Sequence, residues 1–140
     1  MAFDNHCHLF QGSVTGTFSN AIDSHFYLTI APEAKSIPLV YEMSRQSGKK
    51  YFLARKKAKA YMSGVFEVKV QSITTFGVQT LCIDTADAEA MKGKRIVIID
   101  DVISTGESLK ALEALVEKAG GQICGRMAIL AERRGSGRWP

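Results

Sequence analysis

The sequence predicts an α/β domain: a twisted, mostly parallel sheet flanked by helices, with an antiparallel hairpin insertion. Three observations carry this. Residues 26–54 read strand, loop, helix, strand, which is a βαβ unit with a right-handed crossover. Residues 96–130 repeat that order around an uninterrupted β-branched run, Ile96-Val97-Ile98-Ile99, as expected of a buried parallel strand. Between the two units, residues 65–83 alternate apolar and polar side chains about a turn, the pattern of a hairpin with one wet face.

The chain has 140 residues, enough for one domain, and its 46% apolar share is ample for one core. A net charge of +4 suits an anionic ligand and is weak support for nucleic acid. No apolar run approaches the roughly 20 residues that span a bilayer. The start, Met1-Ala2-Phe3-Asp4-Asn5-His6, lacks a basic stretch followed by an apolar one, so no signal peptide is expected. Cys7, Cys82 and Cys124 are odd in number and widely spaced, which points to a reducing, cytoplasmic setting.

Residues 1–24, with Gly12 and Gly16 and few periodic apolar positions, predict an irregular N-terminal arm. His6-Cys7-His8 invites a zinc reading, but no second ligand pair stands at usable spacing, and a solvated terminus is the better reading. Residues 26–31 predict a strand and residues 32–36 a polar loop. Pro38 suits the first turn of a helix whose face is Leu39, Val40, Met43 and Ser47, and Gly48 stops it. Residues 51–54 predict the next strand. Arg55-Lys56-Lys57-Ala58-Lys59 then leaves its carboxyl end, either as a solvated charged loop or as cations for a bound phosphate. Residues 60–64 predict a mobile loop, and residues 65–73 and 78–83 the hairpin, with Phe66, Val68 and Val70 on its apolar face.

Residues 85–91 predict a short helix, broken by Lys92-Gly93-Lys94, and residues 96–99 the central strand. Asp100 and Asp101 follow at its carboxyl end, the edge where open α/β sheets bind ligands. Ser104-Thr105-Gly106-Glu107-Ser108 offers backbone N–H groups, hydroxyls and a glycine at the start of a helix, a cradle for an anion. Leu109, Leu112, Val116 and Ala119 keep helical spacing, Gly120-Gly121 closes the helix, and residues 122–130 form a strand. Residues 133–140 are a short basic tail, leaving residues 25–132 as the domain. Cys82 and Cys124 fall in apolar strand patterns and are expected in the core. The acids taken alone could cap a helix or face water, and Lys35 alone could be a surface lysine. Together, acids for hydroxyls or a metal beside a phosphate cradle describe a sugar-phosphate site.

Residues 96–108 resemble the phosphoribosyl-pyrophosphate (PRPP) signature of type I phosphoribosyltransferases. Ala31-Pro32-Glu33-Ala34-Lys35-Ser36 resembles the strand-end loop of the adenine-phosphoribosyltransferase-like branch, and Arg55-Lys56 the pair after its next strand. Ser72-Ile73-Thr74-Thr75, residues 84–88 and Lys92-Gly93-Lys94 are similar to a bacterial subgroup of that branch, so the likeness covers residues 26–132. The resemblance implies an Mg²⁺-dependent transfer of phosphoribosyl from PRPP to a nitrogenous base, a purine by this branch, with release of pyrophosphate. It implies that Asp100 and Asp101 hold the ribose hydroxyls or the metal, that residues 104–108 hold the 5′-phosphate, and that Ala34, Lys35, Ser36, Arg55 and Lys56 hold pyrophosphate. It further implies a covering loop near residues 61–75 and a cytoplasmic homodimer.

The chain departs from the family pattern in places. Ser104 stands where hypoxanthine-guanine enzymes carry an acid, and Ser36 where adenine enzymes usually have Gly. Both ends differ from the usual segments over the base. Two other readings stay open: a PRPP-sensing regulatory domain of the same fold, and an unrelated doubly wound domain using its acids for Mg²⁺. No helix-turn-helix pattern is visible and basic residues gather on no helical face, so neither nucleic acid nor a membrane is an expected partner.

Overall fold

The computed structural model describes residues 2–3, 7–9, 26–71, 77–103 and 106–131. Its strands are β1 (Ala2–Phe3), β2 (Cys7–Leu9), β3 (Leu28–Pro32), β4 (Lys50–Ala54), β5 (Val65–Gln71), β6 (Val78–Asp84), β7 (Arg95–Ile103) and β8 (Gln122–Ala131). Its described helices are α1 (Ile37–Ser47), α2 (Thr85–Met91) and α3 (Glu107–Lys118). The main sheet has the order β1-β2-β8-β7-β3-β4 and is parallel except for β1; β5 and β6 form a separate antiparallel pair. This is the predicted class, a mostly parallel sheet with a hairpin insertion.

Local chemistry explains the elements. Ile96, Val97, Ile98 and Ile99 are fully buried because β7 is central and covered on both faces. On one face Ile96 and Ile98 pack with Leu109, Leu112, Leu115 and Val116 of α3. On the other, Val97 and Ile99 pack with Val40 and Met43 of α1. Pro38 sits in the first turn of α1, and Gly48 ends it at φ 69° with its N–H on the Ser44 carbonyl. Gly121 lets α3 return closely to the sheet: a Cβ there would lie 2.5 Å from Ile96 Cδ1 and 2.9 Å from Val116 Cγ1. The partly buried side chains of β5, Phe66, Val68 and Val70, add the hairpin to the α3 core. Lys118 of α3 donates to the Glu67 carbonyl at 2.7 Å and lies 5.2 Å from the Phe66 ring. Cys82 is buried in the core, as its strand pattern predicted, and Cys124 is half-buried and packs against the core.

Two differences from the sequence reading stand out. The arm predicted to be irregular contains β1 and β2, and β2 extends the sheet beside β8 through the pairs Cys7↔Arg126, His8↔Met127 and Leu9↔Ala128. Backbone pairing to an available strand needs no periodic apolar pattern, so nothing in the composition signalled it. The central strand also runs past the acids to Ile103. Its pairing with β3 stops at Ile98, whereas β8 continues alongside, with Asp100 opposite Ala128 and Val102 opposite Leu130. The acids therefore lie where one neighbour has turned away and the other still holds the backbone.

Candidate active site

The carboxyl ends of β3, β4 and β7 reach the same edge of the sheet because the three strands are parallel neighbours. A cleft of about 910 Å³ opens there, lined by Ala34, Lys35 and Ser36 after β3, Lys56 after β4, Asp100 and Asp101 on β7, and Ser108 on α3. These residues were predicted from four separate stretches of chain, and they meet. Pro32, Glu33 and Val102, with Val78, Gln79, Thr80 and Leu81 of β6, complete the lining and were not foreseen. Alternation predicted the hairpin but carries no information about which surface it docks against. Glu33 lies in the predicted polar loop, where one acid two positions from one lysine offers no local signal for a role.

Ser36 ties the loop to the acids. Its hydroxyl lies 3.2 Å from Asp100 Oδ1 and 3.2 Å from Asp101 Oδ1, and it accepts the Asp101 N–H at 3.1 Å. One hydroxyl proton serves one carboxylate at a time, so Ser36 sits between them as a shared donor. It stands at the N-cap of α1 but makes no side-chain capping bond, because its oxygen is used here. The Glu33–Ala34 peptide in the same loop is cis.

Asp100 is 4% exposed. Burial, then the adjacent Asp101 carboxylate, pushes its carboxyl up to about 7, against a smaller opposing pull from Ser36. Asp101 is also raised by burial, but hydrogen bonds from Asp100 and Ser36 outweigh that and hold it below the usual carboxylate range. The pair thus carries one proton more readily than two separate aspartates would.

Arg55 takes a different place from Lys56. Its backbone bridges to Cys82, its guanidinium Nη1 donates to Glu33 Oε2 at 2.6 Å, and it is absent from the residues lining the cleft. Burial raises the Glu33 carboxyl, but Arg55, the Lys56 N–H and Lys59 together bring it below its ordinary value. At the far end of that loop, Asp84 accepts from Ser63 N, Ser63 Oγ and Ala86 N at 3.1, 3.0 and 3.2 Å, which fixes residue 63 to the start of α2.

Gly106 adopts φ 80° before α3, and Glu107 and Ser108 open its first turn. Ser104 and Thr105 of the expected phosphate cradle lie outside the described residues, as do residues 72–75 of the expected covering loop and His6 of the His-Cys-His stretch. Among the described residues no group of three or more His, Cys, Asp or Glu could hold a metal ion. No helix among them is long and apolar enough to cross a membrane.

Comparison with known proteins places this geometry. The model of the phosphoribosyl transferase domain family matches residues 14–139. The adenine phosphoribosyltransferase of Thermotoga petrophila is 36% identical over 110 residues, covering 79% of this chain and 61% of its own length. The hypoxanthine/guanine phosphoribosyltransferase of Methanococcus voltae is 31% identical over 117 residues, covering 84% of this chain and 58% of its own length. This chain thus spans about three-fifths of the length of the curated relatives it matches. Among solved structures, the adenine phosphoribosyltransferase of Leishmania donovani superposes with a TM-score of 0.67 at 19% identity, over 80% of this chain and 47% of that one. That of Saccharomyces cerevisiae, solved with an imino-altritol bisphosphate and adenine, gives 0.66 at 19% identity, over 76% and 58%. These structures share the fold, and the family match takes in every element that reaches the cleft: the chain belongs to the phosphoribosyl transferase domain family.

Proposed function

We propose that the chain transfers the 5-phosphoribosyl group from PRPP to a nitrogenous base of the purine class, releasing pyrophosphate and forming a nucleoside 5′-monophosphate. One observation carries the reading: a lysine after each of two strands and an acid pair on a third line a single cleft at the sheet edge. A simple sugar phosphate would need one anion site. Cations after β3 and β4, together with the α3 N-terminus after β7, suit a ligand with phosphates at both ends of a ribose.

In this reading Lys35, Ser36 and Ala34 N–H bind the pyrophosphate, with Lys56 and Arg55 assisting. Residues 104–108 hold the 5′-phosphate at the start of α3. Asp100 and Asp101 hold the ribose hydroxyls between them. The base nitrogen forms a bond to C1 as the C1–oxygen bond to pyrophosphate breaks with its electron pair, and the base loses a proton. The chain's own contribution is to align those atoms, to stabilise the departing charge and to exclude water. The donor set also fits Mg²⁺: two adjacent carboxylates in the cleft match a hard cation bound through one or two carboxylates and substrate phosphates. Mg²⁺ bound with PRPP would supply charge neutralisation of the pyrophosphate, with Asp100 and Asp101 as its protein ligands, direct or through water. The reading brings with it the cytoplasmic homodimer that the resemblance implied.

The test is a titration of PRPP with Mg²⁺, followed by adenine, hypoxanthine, guanine, xanthine, orotate or uracil while pyrophosphate release is measured. Release with a purine is the expected result. Tight PRPP binding without release under any base would overturn the transferase reading in favour of a sensor, and absence of binding by the folded chain would overturn both.

A further inference from the structure

We infer that Glu33 is a positioning residue whose carboxylate pre-orders the basic loop after β4, Arg55 and Lys56 included, beside the cleft. The inference rests on the PRPP reading above and adds to it a residue of opposite charge.

The contacts are specific. Glu33 Oε2 accepts from Arg55 Nη1 at 2.6 Å. Glu33 Oε1 faces the Lys56 backbone N–H at 3.4 Å and the Lys59 ammonium at 4.0 Å. Glu33 N–H donates to the Ala54 carbonyl at 2.9 Å, so the residue is also fastened to the last position of β4 through its backbone. The Glu33 and Arg55 side chains are 18% and 22% exposed, shielded enough for the pair to outweigh an open surface contact. From Arg55 the connection continues: its guanidinium lies 5.8 Å from the Tyr61 ring, and the segment beyond is held at Ser63 by Asp84.

The physical need is clear from charge. Arg55, Lys56, Lys57 and Lys59 repel one another within five positions, and the bridge to Cys82 fixes only the backbone of the first of them. A single carboxylate on the neighbouring loop converts repulsion into a fixed set of donors. An acid at the wall of an anion site has a cost, since it repels the ligand. That cost gives the inference its sign. If Glu33 acted only through its charge, neutralising it would tighten binding of a polyanion. If it organises the cations, removing it weakens binding.

The experiment compares wild type, Glu33→Gln and Glu33→Ala by calorimetric titration with PRPP and Mg²⁺, and by amide hydrogen exchange of residues 55–64 in the ligand-free chains. For Glu33→Ala the expected Kd rises about tenfold, the scale of a lost charge-assisted hydrogen bond, with faster exchange in the loop. Glu33→Gln keeps an acceptor for Arg55 and is expected to raise Kd about threefold. Should Glu33→Ala fail to fold, Glu33→Gln decides alone. An unchanged or lower Kd in the folded variants, or loop exchange identical to wild type, overturns the inference. If wild type itself binds no PRPP, the proposed function fails separately, and the exchange comparison still decides whether Glu33 orders the loop.

Discussion

A single hydroxyl shared between two carboxylates sets the character of the site at the scale of residues. Ser36, Asp100 and Asp101 form a three-membered cluster in which burial favours one retained proton. Asp101→Asn should therefore weaken Mg²⁺-dependent PRPP use by at least tenfold, measured as kcat/KM, while the thermal melt stays near wild type; an unfolded variant would make the acid structural. Asp100 yields a pH prediction whose sign follows from linkage. Its folded value, about 7, lies above its ordinary 3.8, so the native state binds the extra proton between those limits. Stability from this group is full below the lower limit and is lost as pH rises through the upper one. Asp101 is shifted the other way and titrates below that window. Urea unfolding of the ligand-free chain should show wild type losing roughly 2–3 kcal/mol relative to Asp100→Asn between about pH 5 and pH 7.5. A constant difference across that range would show that Asp100 ionises normally. The acids were legible because two carboxylates after a β-branched run are a local pattern. Their tie to Ser36 was not, since 64 residues separate Ser36 from Asp100 and no local rule links them.

Elements were legible where one periodicity dominates and less so where a neighbour decides. The apolar face of α1, the stop at Gly48 and the alternation of β5 all follow from spacing. The end of β7 does not: the sequence reading stopped at Ile99, whereas β8 carries the strand to Ile103. Two acids interrupt the apolar run, but they do not interrupt the hydrogen-bond ladder on the β8 side. The same dependence on neighbours explains Gly121, which was read only as a helix stop. Its missing Cβ is what allows Ile96 and Val116 to approach. Gly121→Ala should force both side chains off their rotamers and destabilise the chain by about 1–3 kcal/mol in urea unfolding. The loss should be smaller in Gly121→Ala combined with Ile96→Val, which removes the methyl group that the new Cβ meets at 2.5 Å. Additive losses in the double variant would show that the close contact is not the cause.

Across the whole molecule, the cleft joins elements that are far apart in sequence and otherwise separately held. One wall comes from the parallel sheet and its loops. Another comes from β6, whose hairpin reaches the main sheet through the Arg55↔Cys82 bridge and the packing of β5 on α3. Sequence order reveals each wall but not their juxtaposition, because the hairpin's position depends on side-chain packing along α3. A ligand filling the cleft would contact the loops after β3 and β4, the acids of β7 and the start of α3 at once. Such binding requires these elements to be folded together, so it should act as a global rather than a local stabiliser. At a PRPP concentration about one hundred times Kd, with Mg²⁺, linkage gives about 2.7 kcal/mol. For a domain of this size that corresponds to a rise in Tm on the order of 10 °C. Pyrophosphate alone, proposed to meet only the β3 and β4 loops, should give the same rise in Tm at the same multiple of its own Kd. In Asp100→Asn/Asp101→Asn the two ligands should part. Pyrophosphate should keep most of its effect, whereas PRPP at the wild-type saturating concentration should lose most of its own. Equal losses for both would mean that the acids serve the pyrophosphate side of the cleft rather than the ribose.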